Sequence, residues 1–194
     1  HYCTDEKVKK VIRSNTRRSK MYIVSRNNEY FLKKVYNHNF LNHLKRELDV
    51  YEALSHSTYL PELVEVGSSY VVTRWYDNQF LGITEKETQR LLNLHRNDIR
   101  SILKLFYDNS IAHLDFHPGN LILCPDNGLK VTDFEFSYKY SSKPDHFNYS
   151  YDIAGVPHDF PGDLPRGTVK PGITYENTWQ KILGPLHSAS SNSQ

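Results

Sequence analysis

The segment "HLDFHPGNLILCPDNGLKVTDFEF", residues 113 to 136, restricts the fold more than any other part of the chain. "LILC" and "LKVT" are short apolar runs on either side of "PDNG", where Pro, Asp, Asn and Gly stand together. The stretch therefore reads as an antiparallel hairpin with a four-residue loop. Pairing Cys124 with Leu129 and counting outward sets Asn120 opposite Asp133. Facing residues in such a ladder hold their Cβ atoms about 4.5–5.5 Å apart, so an amide oxygen and a carboxylate meet at the open end. Oxygen donors of that kind suit a hard divalent cation such as magnesium, with phosphate oxygens and water completing its shell. Asp115 precedes Asn120 by five residues and falls at the mouth of the same site.

A chain of 194 residues is long enough for one domain or for two small lobes. Its 38% hydrophobic and 13% aromatic content lies away from compositions that stay disordered. No apolar run approaches the roughly 18 residues of a membrane span, and no signal-peptide pattern opens the chain. It begins at His1 without an initiator Met, which reads as a fragment or a processed form. Cys3 and Cys124 are too few for a disulfide framework, and Cys124 in its apolar run reads as a buried thiol. A cytoplasmic protein without a nucleic-acid partner is expected, with peripheral association at the inner face of the membrane left open. The basic run "RSNTRRSK" at 13 to 20 suits phosphate or an anionic surface, or is simply a solvated charged turn.

Three segments rich in β-branched and aromatic residues, 8 to 13, 20 to 25 and 29 to 36, predict strands, with "RNNE" as the turn between the last two. Leu41, Leu44, Leu48 and Tyr51 recur at helical spacing over 40 to 54 and give an apolar face that can cover a sheet. "LVEVG" and residues 69 to 76 read as a further strand pair. "TEKE" at 84 to 87 is a capping box, and Leu91, Leu94, Ile99, Ile102, Leu103 and Phe106 continue a helical pattern beyond it. After Tyr140 the chain turns loop-like, rich in proline and glycine, before a short helix at 175 to 183 and a frayed end.

The run from His113 through Asp115, His117 and Asn120, followed by Asp133, Phe134 and Glu135, resembles the catalytic loop and metal-binding motif of protein-kinase-like phosphotransferases. It is similar in particular to the branch of aminoglycoside, choline and lipopolysaccharide-sugar kinases. Leu114 and Glu135 stand where protein kinases usually carry Arg and Gly. The resemblance implies an α+β, compact two-lobed fold: an antiparallel-sheet lobe with one helix over residues 1–76, and a reduced, mainly helical lobe over 77–194. It implies ATP and Mg2+, with Asp115 as catalytic base and Asn120 and Asp133 on the metal. Lys33, the favoured one of two adjacent lysines, would pair with Glu47 at the nucleotide phosphates, with Glu52 as an alternative to Glu47. Trp75 and Tyr76 would lie at the adenine. His113 would brace the loop, and His117 would contact Asp133 or the loop backbone.

The family's glycine-rich loop is absent, and Ser14, Asn15, Thr16 and the neighbouring arginines are the phosphate donors available in its place. The acceptor implied is a hydroxyl of a sugar, glycan or other small molecule, with surface-polysaccharide synthesis as a setting. Trp179 and the loop at 155 to 172 are candidates to line the acceptor site. The competing readings are a pseudokinase binding module, an atypical protein kinase, and a metallohydrolase using His-x-Asp-x-His.

Overall fold

The computed structural model describes residues 6–15, 17–156 and 179–184, with backbone alone for 10–15. The chain divides into two compact units, His1–Asp77 and Asn78–Gln194.

The first unit is built on a five-stranded sheet in the order β1-β2-β3-β5-β4, every neighbouring pair antiparallel. Its strands are β1 Lys7–Asn15, β2 Ser19–Arg26, β3 Glu29–Tyr36, β4 Leu63–Val66 and β5 Tyr70–Arg74. Asn27 and Asn28 join β2 to β3 with φ of 51 and 65. That left-handed pair is what a two-residue type I′ turn demands, and asparagine tolerates it. Alternation along β3 then sorts its side chains onto two faces. Phe31 packs with Val24 and Val72 on one. On the other, Tyr36 packs with Val71 and with Leu44 of helix α1, Leu41–Leu54. Lys33 has the parity of Phe31 and Lys34 that of Tyr36. Helix α1 also buries Val50, Tyr51 and Leu54, each worth about 1.5–3 kcal/mol when fully removed from water. Of the phosphate donors expected between β1 and β2, Thr16 and the side chains of Ser14 and Asn15 lie outside the described residues.

The second unit opens with helices α2 Glu85–Leu94 and α3 Arg96–Asp108. Thr84 caps α2 by accepting from the Glu87 N–H at 3.1 Å. The Glu87 carboxylate takes Arg90 instead of reaching back, so half of the capping box forms. The apolar pattern read as continuous is in fact broken at His95, and Leu94 beside the break is 66% exposed. Helix α3 buries Ile99, Ile102, Leu103 and Phe106. Short strands follow: β6 Ile111–Ala112 pairs with β9 Tyr138–Lys139, and β7 Leu121–Cys124 pairs with β8 Gly128–Val131.

The β7/β8 register differs from the expected one, because Cys124 faces Gly128 and not Leu129. Gly128 takes φ of +74, a conformation open to glycine, which tightens the tip to Pro125, Asp126 and Asn127. Helix α4, Tyr151–Ala154, and helix α5, Gln180–Leu183, complete the unit. Most of the expected proline-rich loop, the start of the expected helix at 175 to 183 and the terminal serine-rich run lie outside the described residues. Among the described residues no helix is long and apolar enough to cross a membrane.

Candidate active site

The loop between β6 and β7 is organised around His113, which is fully buried. Its Nδ1 accepts the Asp115 N–H at 3.2 Å and its Nε2 donates to the Thr132 carbonyl at 3.0 Å. These partners fix the tautomer and link the backbone of Asp115 to the end of β8. Phe106, Phe116 and Phe134 surround the imidazole with ring centroids at 5.9, 5.8 and 5.4 Å. With both nitrogens engaged, His113 has no lone pair for a metal, and the His-x-Asp-x-His reading loses its first ligand.

Leu114, next in the chain, has φ of +63. A left-handed leucine costs roughly 1–2 kcal/mol and persists only where its surroundings impose it. Here Asp152 imposes it, its two carboxylate oxygens accepting the N–H groups of His113 and Leu114 at 2.9 Å each. Burial pushes the Asp152 carboxyl up from the ordinary aspartate range, while His113 and the two N–H donors pull it back. Sequence reading missed Asp152, which sits in a stretch read as loop with no local pattern to mark it.

Asp115 is bounded by Asn120 and His117. The Asn120 amide nitrogen donates to the Asp115 carbonyl at 2.9 Å and approaches its Oδ2 at 3.3 Å. His117 Nε2 lies 3.6 Å from Asp115 Oδ1, and its Nδ1 accepts the Gly119 N–H at 3.0 Å. The ring covers Gly119 so closely that a Cβ there would stand 2.8 Å from His117 Cε1, which accounts for glycine at this position. His117 thus faces Asp115 and Asn120.

The register change reaches the site. Thr132 N–H donates to the Asn120 carbonyl at 2.9 Å, so the residue facing Asn120 is Thr132 and not Asp133. Asp133 follows with φ of +66, a second left-handed non-glycine residue at this end of the hairpin. Among the described residues no group of three or more His, Cys, Asp and Glu could form a metal cage. Of the two residues expected on a metal, Asn120 is the one whose side-chain geometry is defined by these contacts. Anchoring the amide nitrogen on Asp115 leaves Asn120 Oδ1 as an oxygen donor, and magnesium, which is commonly held by one or two carboxylates with waters and substrate phosphates supplying the rest, would need a carboxylate beside it.

In the first unit, Glu47 pairs with Lys34 and not with Lys33. Lys34 Nζ lies 3.2 Å from Glu47 Oε2, both side chains buried, and the Tyr36 hydroxyl hydrogen-bonds the same oxygen. Lys33 faces the other side of the sheet, 3.1 Å from Glu6 and 4.5 Å from the centre of the Tyr70 ring. The correction follows from strand parity, since α1 covers the Tyr36 face and carries Glu47 with it. Trp75 N–H extends the sheet ladder to the Tyr30 carbonyl at 3.1 Å, and Tyr76 accepts the Glu62 N–H on its hydroxyl at 3.1 Å.

Asn78 steadies the hairpin from within the second unit: its Oδ1 accepts the Leu123 N–H at 3.1 Å, and the adjacent Gln79 N–H donates to the Leu123 carbonyl at 2.9 Å. Trp179, expected in an acceptor site, is fully buried and donates to the Phe116 carbonyl at 3.0 Å.

No family model matches the chain. A curated relative, cyclin-dependent kinase 20 of Danio rerio, is 25% identical over 123 residues, covering 58% of this chain. The chain spans 35% of the length of that relative. The similarity supports a protein-kinase-like fold, with which the mixed α/β content and the five-stranded antiparallel sheet are compatible.

Proposed function

We propose that the protein is an ATP-dependent phosphotransferase that phosphorylates a hydroxyl of a sugar, glycan or other small molecule. The observation that carries this reading is the constellation around Asp115. A carboxylate is flanked by an anchored amide, and two left-handed non-glycine residues lie within the same loop-and-hairpin unit, the kind of strain that clusters at functional sites. Lys34, oriented by Glu47, takes the phosphate-binding role first assigned to Lys33. Asp115 orients the acceptor hydroxyl and receives its proton, and Asn120 and Asp133 hold the metal. Magnesium, when bound with the nucleotide, neutralises charge on the phosphates being transferred. Leu114 supports a small acceptor: it packs in an apolar cluster with Ala112, Tyr140 and Val156, so no cation precedes Asp115 to read a phosphorylated loop.

The likeness to a cyclin-dependent kinase favours a second reading, a protein acceptor. Incubation with labelled ATP and magnesium, offered panels of sugars, glycans, small alcohols and proteins, separates the two by the class that gains label. Loss of that label in Asp115→Asn is required. Absence of both transfer and slow ATP hydrolysis leaves the pseudokinase alternative.

A further inference from the structure

Trp179 belongs to a segment with no sequence link to the catalytic loop, yet it is tied to the middle of that loop. The fully buried indole donates through Nε1 to the Phe116 carbonyl at 3.0 Å, and its ring lies on Phe116 with centroids 4.9 Å apart. That carbonyl belongs to the peptide joining Phe116 to His117, immediately after Asp115. The Phe116 ring is fixed in turn by an edge contact with Phe106 of α3 at 6.1 Å. The segment bearing Trp179 has its own anchors on α3: Ile182 is buried, and Arg100 donates to the Leu183 carbonyl at 3.1 Å.

From these contacts we propose that Trp179 is a positioning residue, whose indole N–H sets the Phe116–His117 peptide and thereby the placement of Asp115 against the acceptor hydroxyl. The proposal rests on the phosphotransferase reading. His113 holds the N–H of Asp115, Asn120 holds its carbonyl, and Trp179 holds the next carbonyl along. Three backbone groups of two consecutive residues, Asp115 and Phe116, are thus fixed by side chains. A displacement of the order of 1 Å at a reacting group costs about a hundredfold in rate, so releasing one of these restraints has a kinetic effect. Trp179 itself touches none of the residues assigned to the phosphates or the metal, Lys34, Asn120 and Asp133, in the contacts described above, so its loss is expected to fall on kcat more than on the KM for ATP.

The test replaces Trp179 in the full chain by β-(3-benzothienyl)alanine, which keeps the ring and removes only the N–H donor, alongside Trp179→Phe. Expected are a fall in kcat of about tenfold, a KM for ATP unchanged within about twofold, and faster amide hydrogen exchange in the peptide spanning 113 to 121. A lower melting temperature with unchanged kcat overturns the proposal, as does unchanged exchange in that peptide. If the unaltered protein transfers no phosphate, the phosphotransferase reading fails by itself. Exchange then still decides whether Trp179 holds the loop: acceleration confined to 113 to 121 supports the coupling, and its absence refutes it.

Discussion

Lys34 and Glu47 form a buried ion pair across strand β3 and helix α1, with Nζ 3.2 Å from Oε2. The neighbouring Lys33 makes a more exposed pair with Glu6. Removing one partner of a buried pair leaves a charge without compensation and typically costs about 3–5 kcal/mol, whereas exposed pairs are worth about 0–1. Lys34→Met is therefore expected to lower unfolding free energy by about 3 kcal/mol, the Tyr36 hydroxyl moderating the loss, and Lys33→Met by less than about 1. Urea titration measures both. The double variant Lys34→Met, Glu47→Met should recover most of the loss, and ATP-induced thermal stabilisation should vanish with Lys34→Met alone.

Asp115→Asn keeps the shape of the site and removes the proton acceptor. Phosphate transfer should fall by about 10²–10⁴, the usual range for a positioned base. Nucleotide binding measured by calorimetry should stay the same, and a variant with unimpaired turnover would remove Asp115 from the chemistry.

Asp152 satisfies two buried N–H groups, those of His113 and Leu114. Leaving a buried donor unpaired costs about 1–3 kcal/mol, so Asp152→Ala should destabilise by about 2–5 kcal/mol and Asp152→Asn by less. Hydrogen exchange at 113 and 114 should accelerate beyond that of the α3 core. Loss of activity in the folded fraction would follow from relaxation of Leu114 out of its left-handed conformation.

Two carboxyls on the Lys33 face of the sheet respond to acid. The Tyr70 hydroxyl first, then Arg26, holds Glu65 below the ordinary range against a smaller upward pull from burial. Partial burial pushes Glu6 up, but Lys33 and Arg26 together bring it below its usual value. A carboxyl lowered in the folded state stabilises fully above its unfolded value, here 4.5, and loses that contribution as pH falls through the folded value. Stability should thus decline on acidification below 4.5, and Arg26→Ala, which removes a partner of both groups, should make the decline shallower. At neutral pH the same variant should cost less than about 1 kcal/mol, because these pairs are partly exposed. Identical acid limbs in the two proteins would refute this assignment.

Much of the first unit was legible because its strands carry β-branched and aromatic residues and its helix repeats apolar residues at helical spacing, although Leu41 at its start is exposed and Glu47 interrupts the buried face. The run "YFLKKVY" did not reveal which lysine faces Glu47, since adjacent lysines satisfy alternation equally well. The face was decided by α1 packing on Tyr36 and Val71, a tertiary fact. The hairpin was legible as a hairpin, but its register depended on Gly128 adopting positive φ at the end of a three-residue tip. The break at His95 escaped because apolar residues continue at near-helical spacing on both sides of it. Asp152 and Trp179 were beyond local reading: their partners lie 39 and 63 residues away, and neither sits in a recognisable motif.

The hydrogen bond from Thr132 to the Asn120 carbonyl closes the base of the hairpin, and it makes the two ends of the unit unequal in their tolerance of length change. Extra residues inserted among Pro125, Asp126 and Asn127 lengthen a surface loop at little thermodynamic cost. Deleting a single residue from β7 or β8 reverses the facing of everything beyond it, turning Asn120 or Asp133 to the wrong side. Variation in chain length among related sequences should therefore accumulate at the tip and be purged from the arms.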